Sequence, residues 1–102
     1  MKKIAEIIRE LRENNKLLLR QVASEIEIDQ ALLSKIERGE RIPTKQQVIR
    51  LARFYKVDEN KLLIAFLSDK LVNELQDEEM AVKAMQVAEK KMNYIIKHKN
   101  GK

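Results

Sequence analysis

The stretch IDQALLSKIERGERIP, residues 28–43, holds the side chains best suited to meeting a partner. Helical spacing turns Leu33 and Ile36 to one side and leaves Gln30, Ala31, Leu32, Ser34 and Lys35 on the other. A helix that needed only solubility would display Glu and Lys pairs there. This one offers an amide, a hydroxyl, an ammonium and small apolar groups, and Arg38, Arg41 and Lys45 follow close behind. Such a surface is made to touch something. The materials of catalysis, by contrast, are missing. His98 is the single histidine and lies in a basic terminus, and no Ser has a plausible base beside it. Glu78 and Glu79 read as acids that favour a helix start. With no cysteine there is no disulfide, thiolate metal site or Cys nucleophile. Neither an enzyme nor a cofactor or metal is expected.

Charge narrows the partner. Residues 1–57 carry 13 Lys and Arg against 8 Asp and Glu, whereas residues 58–102 carry 8 of each. The whole net charge of +5 therefore sits in the N-terminal half, as a polyanion-binding half would require. The start, MKKIAEIIRE, is broken by Glu6 and Arg9 before a signal-peptide core can form. No apolar run approaches the ~20 residues that span a bilayer. A soluble, cytoplasmic protein is expected.

The elements that position these residues are helices. Two Gly, one Pro and no strand-like alternation predict an all-α chain. Ile4, Ile7, Ile8 and Leu11 share one face of a helix over about 2–14. ENNK ends it, with Asn15 suited to the left-handed conformation. A second helix, about 19–26, buries Val22, Ala23 and Ile26, and Asp29 is placed to cap a third, about 30–38, that stops at Gly39. Pro43 and Thr44 open a fourth, where Thr44 and Gln47 form a capping box ahead of Val48, Leu51, Ala52 and Tyr55. Asp58 caps a fifth carrying Leu62, Leu63, Phe66, Leu67, Leu71 and Leu75. Asp77, Glu78 and Glu79 favour one more start, with Lys97 and Lys99 at its far end.

Two short helices joined by a brief turn form a helix-turn-helix pattern. The resemblance extends from residue 11 to residue 63. The pieces LLSKIERGERIP and VIRLARFYKVDENKLL, in this order and spacing, are similar to the Cro-repressor-like, or xenobiotic-response-element (XRE), class of DNA-binding domain. That resemblance implies a five-helix bundle over 1–68 with an additional C-terminal helix in the extension 69–102. It implies that the third helix enters the major groove, with Gln30, Ala31, Leu32, Ser34 and Lys35 at base-facing positions. The chemistry agrees: Gln bonds adenine, Lys bonds guanine O6 and N7, and Ala packs on a thymine methyl. Leu32 has two partners open to it, a thymine methyl or the second helix. Arg20, Gln21, Arg38, Arg41 and Lys45 would lie near phosphates, and Glu37 would pair with Arg12 as a structural ion pair. Three places depart from the pattern. Lys16 and Glu27 stand where glycine is common, and Leu18 and Leu19 replace the usual cap and a common Gln at the start of the second helix.

In the extension, Ala81, Ala84, Met85, Ala88, Met92 and Ile95 form one stripe, a packing surface expected to join two copies. The resulting expectation is a homodimeric repressor or autoregulator on double-stranded DNA with a palindromic operator and no small-molecule ligand. Phage-type repressor, antitoxin and restriction–modification controller all suit so short a helical chain. The alternative is a protein-interaction adaptor that kept the fold without specific DNA binding, and strong salt dependence of duplex binding separates the two.

Overall fold

A computed structural model describes residues 1–100 as six helices: α1 (Ile4–Asn14), α2 (Leu19–Glu25), α3 (Gln30–Glu37), α4 (Lys45–Tyr55), α5 (Glu59–Leu75) and α6 (Ala81–Asn100). No strand occurs among the described residues, and the fold is all-α as the periodicity predicts. Among the described residues no helix is long and apolar enough to cross a membrane. The chain forms two compact units, Met1–Lys70 and Leu71–Lys102.

The core lies entirely within the first unit. Ile4 and Ile8 of α1, Val22 and Ala23 of α2, Ile26 of the following turn and Leu33 and Ile36 of α3 pack with Val48, Leu51 and Ala52 of α4 and Leu62 and Phe66 of α5. The predicted inward faces of the first four helices turn toward the core, although Ile7, Leu11 and Tyr55 pack against it only half-buried. On α5 the apolar set divides. Leu62 and Phe66 are buried, whereas Leu67 is half exposed and Ile64 projects into solvent. A helix whose apolar residues occupy so many directions cannot cover all of them with one small core.

Helix starts follow local chemistry. Thr44 Oγ1 accepts from the Gln47 amide at 3.1 Å while Gln47 Oε1 accepts from the Thr44 amide at 2.9 Å, closing the capping box and starting α4 at Lys45. Asp58 Oδ1 accepts from the Asn60 amide at 2.9 Å and caps α5. Asp29 occupies the cap position of α3, yet its side chain accepts no capping bond. Leu18, without a side-chain oxygen, stands at the cap of α2, where only the returning bond is made, from its own amide to Gln21 Oε1 at 2.8 Å. For α1, Asp69 from α5 supplies an acceptor: its Oδ2 takes the Ile4 amide at 2.7 Å.

Four helices end in the same way. Beyond α1, α2, α3 and α4 the chain turns through a left-handed residue, Lys16, Glu27, Gly39 and Lys56, each with positive φ between 55° and 77°. At each, the amide one residue further on reaches back to the helix: Leu17 to the Arg12 carbonyl at 3.1 Å, Ile28 to Ala23 at 2.9 Å, Glu40 to Lys35 at 2.9 Å and Val57 to Ala52 at 3.0 Å. This double-bonded ending satisfies carbonyls that the helix itself cannot. Asn15, expected to take the left-handed role, instead keeps φ at −90° and spends its side-chain amide on the Leu11 carbonyl at 2.6 Å. The left-handed residue is Lys16, one position later.

A side chain in this conformation costs roughly 1–2 kcal/mol relative to the right-handed region, partly offset when Gly replaces it by the greater freedom of the unfolded chain. Lys16→Gly and Lys56→Gly are therefore each expected to stabilise the protein, by up to about 1 kcal/mol. Gly39→Ala should destabilise it by a similar amount. Urea midpoints of the three variants check the sign, and destabilisation by Lys56→Gly would show that the side chain matters more than its φ.

Candidate nucleic-acid interface

Helices α2 and α3, joined by residues 26–29, set α3 across the surface of the first unit. Three contacts fix it there. Leu33 and Ile36 point into the core with at most 1% exposure. At the C-terminal end of α3, the Glu37 side chain is 4% exposed and faces Arg12 of α1, whose side chain is 16% exposed. Arg12 Nε donates to Glu37 Oε2 at 2.9 Å and Nη2 donates to Oε1 at 3.0 Å, a two-pronged pair. Nη1 of the same guanidinium donates to the Leu17 carbonyl at 2.9 Å, so one side chain ties α1, the loop before α2 and the end of α3. The hydrogen bonds to Glu37 raise the Arg12 pKa against the opposing effect of burial, and the Glu37 charge adds to the rise. Nearby, the Tyr55 hydroxyl is buried without a hydrogen-bond partner among the described residues, and desolvation, with the Glu37 charge, pushes its pKa up to about 12.

The turn between the two helices is held from α4. Arg50 Nη1 donates to the Ile26 carbonyl at 3.2 Å and stands 3.9 Å from the Glu27 carboxylate. Sequence reasoning passed over Arg50, because nothing in its local spacing marks a contact 24 residues back.

The outward face of α3 carries Gln30, Ala31 and Lys35, all exposed, and Ser34, half-buried. Leu32 is half-buried and packs against the core cluster. Among the cations, Arg20, Arg41 and Lys45 are exposed and form no ion pair among the described residues. Lys45 is the first residue of α4, where unsatisfied backbone N–H groups attract anions. Gln21 is exposed, although its side-chain oxygen is taken by the Leu18 amide.

Arg38 differs from the other cations. Its Nε donates to Glu40 Oε2 at 2.6 Å, its Nη2 donates to Glu40 Oε1 at 3.3 Å, and its Nη1 donates to Ser34 Oγ. The Arg38 hydrogen bond is the main cause holding the Glu40 carboxyl below its usual pKa. Glu40 was not among the residues singled out by sequence, since an acid in a basic loop looks like ordinary charge balance. The signal available was its place directly after Gly39, which folds the loop back on α3.

In the second unit, α6 carries the predicted stripe on one face. Ala81 and Met85 are half-buried, while Ala84, Ala88, Met92 and Ile95 are exposed, as are Val82, Val87, Tyr94 and Ile96. Tyr94 and His98, one helical turn apart, bring their ring centroids within 4.0 Å with the ring planes tilted by 40°. Among the described residues no group of three or more His, Cys, Asp and Glu could hold a metal ion.

No curated protein matches the chain. A family model described as a helix-turn-helix domain matches residues 5–65, a span running from α1 into α5 and containing α2, α3 and both their flanking loops. That span covers more than half of the chain and every contact that fixes α3 from behind. The chain belongs to the helix-turn-helix domain family, and its first unit is a helix-turn-helix DNA-binding domain.

Proposed function

We propose that this protein is a sequence-specific transcriptional regulator of the XRE class that binds a palindromic operator as a homodimer and represses, including at its own promoter. The observation that carries this reading is the outward face of α3. A helix locked from behind by Leu33, Ile36 and a buried Glu37 displays Gln30, Ala31, Ser34 and Lys35 without ion-pairing Lys35 to any described acid. Rigid backing with donors and acceptors in front is what base readout demands. Leu32 stands at the edge of this face, and Arg20, Gln21, Arg41 and Lys45 would hold the flanking phosphates.

The extension would join two copies. The α6 stripe of Ala81, Ala84, Met85, Ala88, Met92 and Ile95 combines small residues, which let helices approach, with flexible methionines that fill gaps. Four of its six members, Ala84, Ala88, Met92 and Ile95, are exposed, an apolar surface that a second copy could cover. Exposed Ile64 and Leu67 of α5 offer a second apolar strip to a partner copy. Within this reading the regulator is of phage-repressor, antitoxin or restriction–modification controller type, and the controller type fits an autoregulator best.

Lys35→Ala and Gln30→Ala are expected to relax preference at two different operator positions, each costing roughly 1–3 kcal/mol with the preferred base. Binding curves on duplexes carrying every single-base change check this. Equal weakening on all of them would remove these residues from base readout. Arg41→Ala should show the opposite pattern, weakening every duplex alike and reducing the log–log salt slope by about one.

A further inference from the structure

We propose that α6 carries a second DNA-contacting surface: the row Lys83, Lys90 and Lys97 binds phosphates of the duplex and adds to the contacts of the first unit.

The charge of this helix is concealed by its neighbours. Residues 58–102 balance, yet residues 58–80 hold seven Asp and Glu against two Lys, whereas α6 holds five Lys against one Glu. All five, Lys83, Lys90, Lys91, Lys97 and Lys99, are exposed, and none forms an ion pair among the described residues. A helix that needed only solubility would set an acid three or four residues from its lysines. The one acid of α6, Glu89, is three or four residues from none of them. Around Lys90 those positions hold Gln86, Val87, Asn93 and Tyr94. Glu79, four residues before Lys83, lies ahead of the helix and makes no ion pair with it.

Three of the lysines form a line. Lys83, Lys90 and Lys97 recur every two helical turns, so they stay within about 40° of one another and run for about 21 Å along α6. The line lies about 180° around the helix from the apolar stripe, so a second copy seated on the stripe leaves it open. Gln86, Asn93 and Tyr94, the last 65% exposed, stand beside it. Ammonium, amide and phenol groups are side chains with which proteins hold phosphate oxygens. The helix macrodipole accounts for Lys97, in the last turn. It disfavours Lys83 in the first turn, so that lysine gives the helix no stability of its own.

Duplex DNA is the polyanion this face fits. The first unit is a DNA-binding domain, so a duplex is what it brings to the chain. An anionic membrane would take α6 by its apolar side, where such helices insert Trp, Phe or Leu. Helix α6 contains none of the three, and its lysine row points away from the side that would insert.

The test follows binding of full-length protein to a random-sequence duplex across a range of salt, so it needs no operator and stands apart from base readout by α3. Lys83→Gln, Lys90→Gln and Lys97→Gln should each reduce the log–log salt slope by about 0.9, and the triple variant by about 2–3. Gln nearly matches Lys in helix propensity, so circular dichroism should not change. Lys99→Gln, on the opposite face, should leave the slope as it is. A triple variant with the wild-type slope overturns the inference. So does an equal fall for Lys99→Gln, which would reduce the effect to net charge. Loss of binding to phosphatidylserine vesicles, with the duplex slope unchanged, would overturn it in favour of a membrane. The expected slopes from a protein that binds every sequence equally would refute the sequence-specific reading and leave this face standing.

Discussion

Arg12→Ala is expected to destabilise the protein by about 3–5 kcal/mol, the largest loss from any single substitution discussed for the fold. The size comes from what is left behind. Glu37 keeps 4% side-chain exposure, so with Arg12 gone its carboxylate is a buried charge with neither partner nor water. The same substitution removes the bond from Nη1 to the Leu17 carbonyl, which braces the loop before α2. A domain of this size has a total stability near 5–15 kcal/mol, so the variant loses a large part of it. Its melting temperature should fall by at least ~12 °C. Arg12→Lys keeps the charge but forfeits the two-pronged geometry, and it should lie between wild type and Arg12→Ala. The reciprocal change, Glu37→Gln, should cost less, because Arg12 is more exposed than Glu37 and an amide still accepts one of its bonds. Thermal unfolding of the three variants checks this ordering. A loss below ~1 kcal/mol for Arg12→Ala would place the pair among surface ion pairs and remove it as the brace of α3.

A chain ending at Asp77 is expected to stay folded yet lose operator affinity by about 10³-fold or more, falling toward the level of non-specific binding. Folding should survive because every residue of the core cluster lies between Ile4 and Phe66. Binding should not, because each half-site offers one α3 a handful of contacts, and the proposed dimer adds the second at no further cost in orientation. Sedimentation of both chains at tens of micromolar separates the possibilities. The full chain should sediment as a dimer and the truncated one as a monomer, with helical circular dichroism retained over the first unit. A monomeric full-length protein contradicts the proposed role of α6. A dimeric truncation would assign the interface to the exposed Ile64 and Leu67 of α5 instead.

How much of this was legible in the sequence depended on distance along the chain. Features written in four-residue neighbourhoods came through: the inward pairs Ile4 and Ile8, Leu33 and Ile36, and the Thr44–Gln47 capping box. The two-helix pattern and its cationic loop were equally local. Features requiring two distant residues to meet were invisible, as with Asp69 capping α1 from 65 positions away and Arg50 reaching the turn before α3. The Arg12–Glu37 pair, 25 positions apart, was anticipated only through the family resemblance and not from spacing. The left-handed ends failed for another reason. Propensity favours Asn15 over Lys16, but the return bonds from Lys16 and Leu17 to α1 determine which residue must turn. Glu40 was missed because its partner choice is geometric: Gly39 folds the loop so that Arg38 faces it.

Selection of bound sites from a random duplex library tests the central claim most directly, because it reports specificity, symmetry and spacing together. A homodimer presenting two copies of α3 should enrich an inverted repeat. Its half-sites should be centred about 10–10.5 base pairs apart, one turn of DNA, or a whole multiple of that spacing. Recovery of an unenriched pool, with binding that falls steeply with salt but ignores sequence, would contradict regulation by base readout. The domain would then be a non-specific DNA binder.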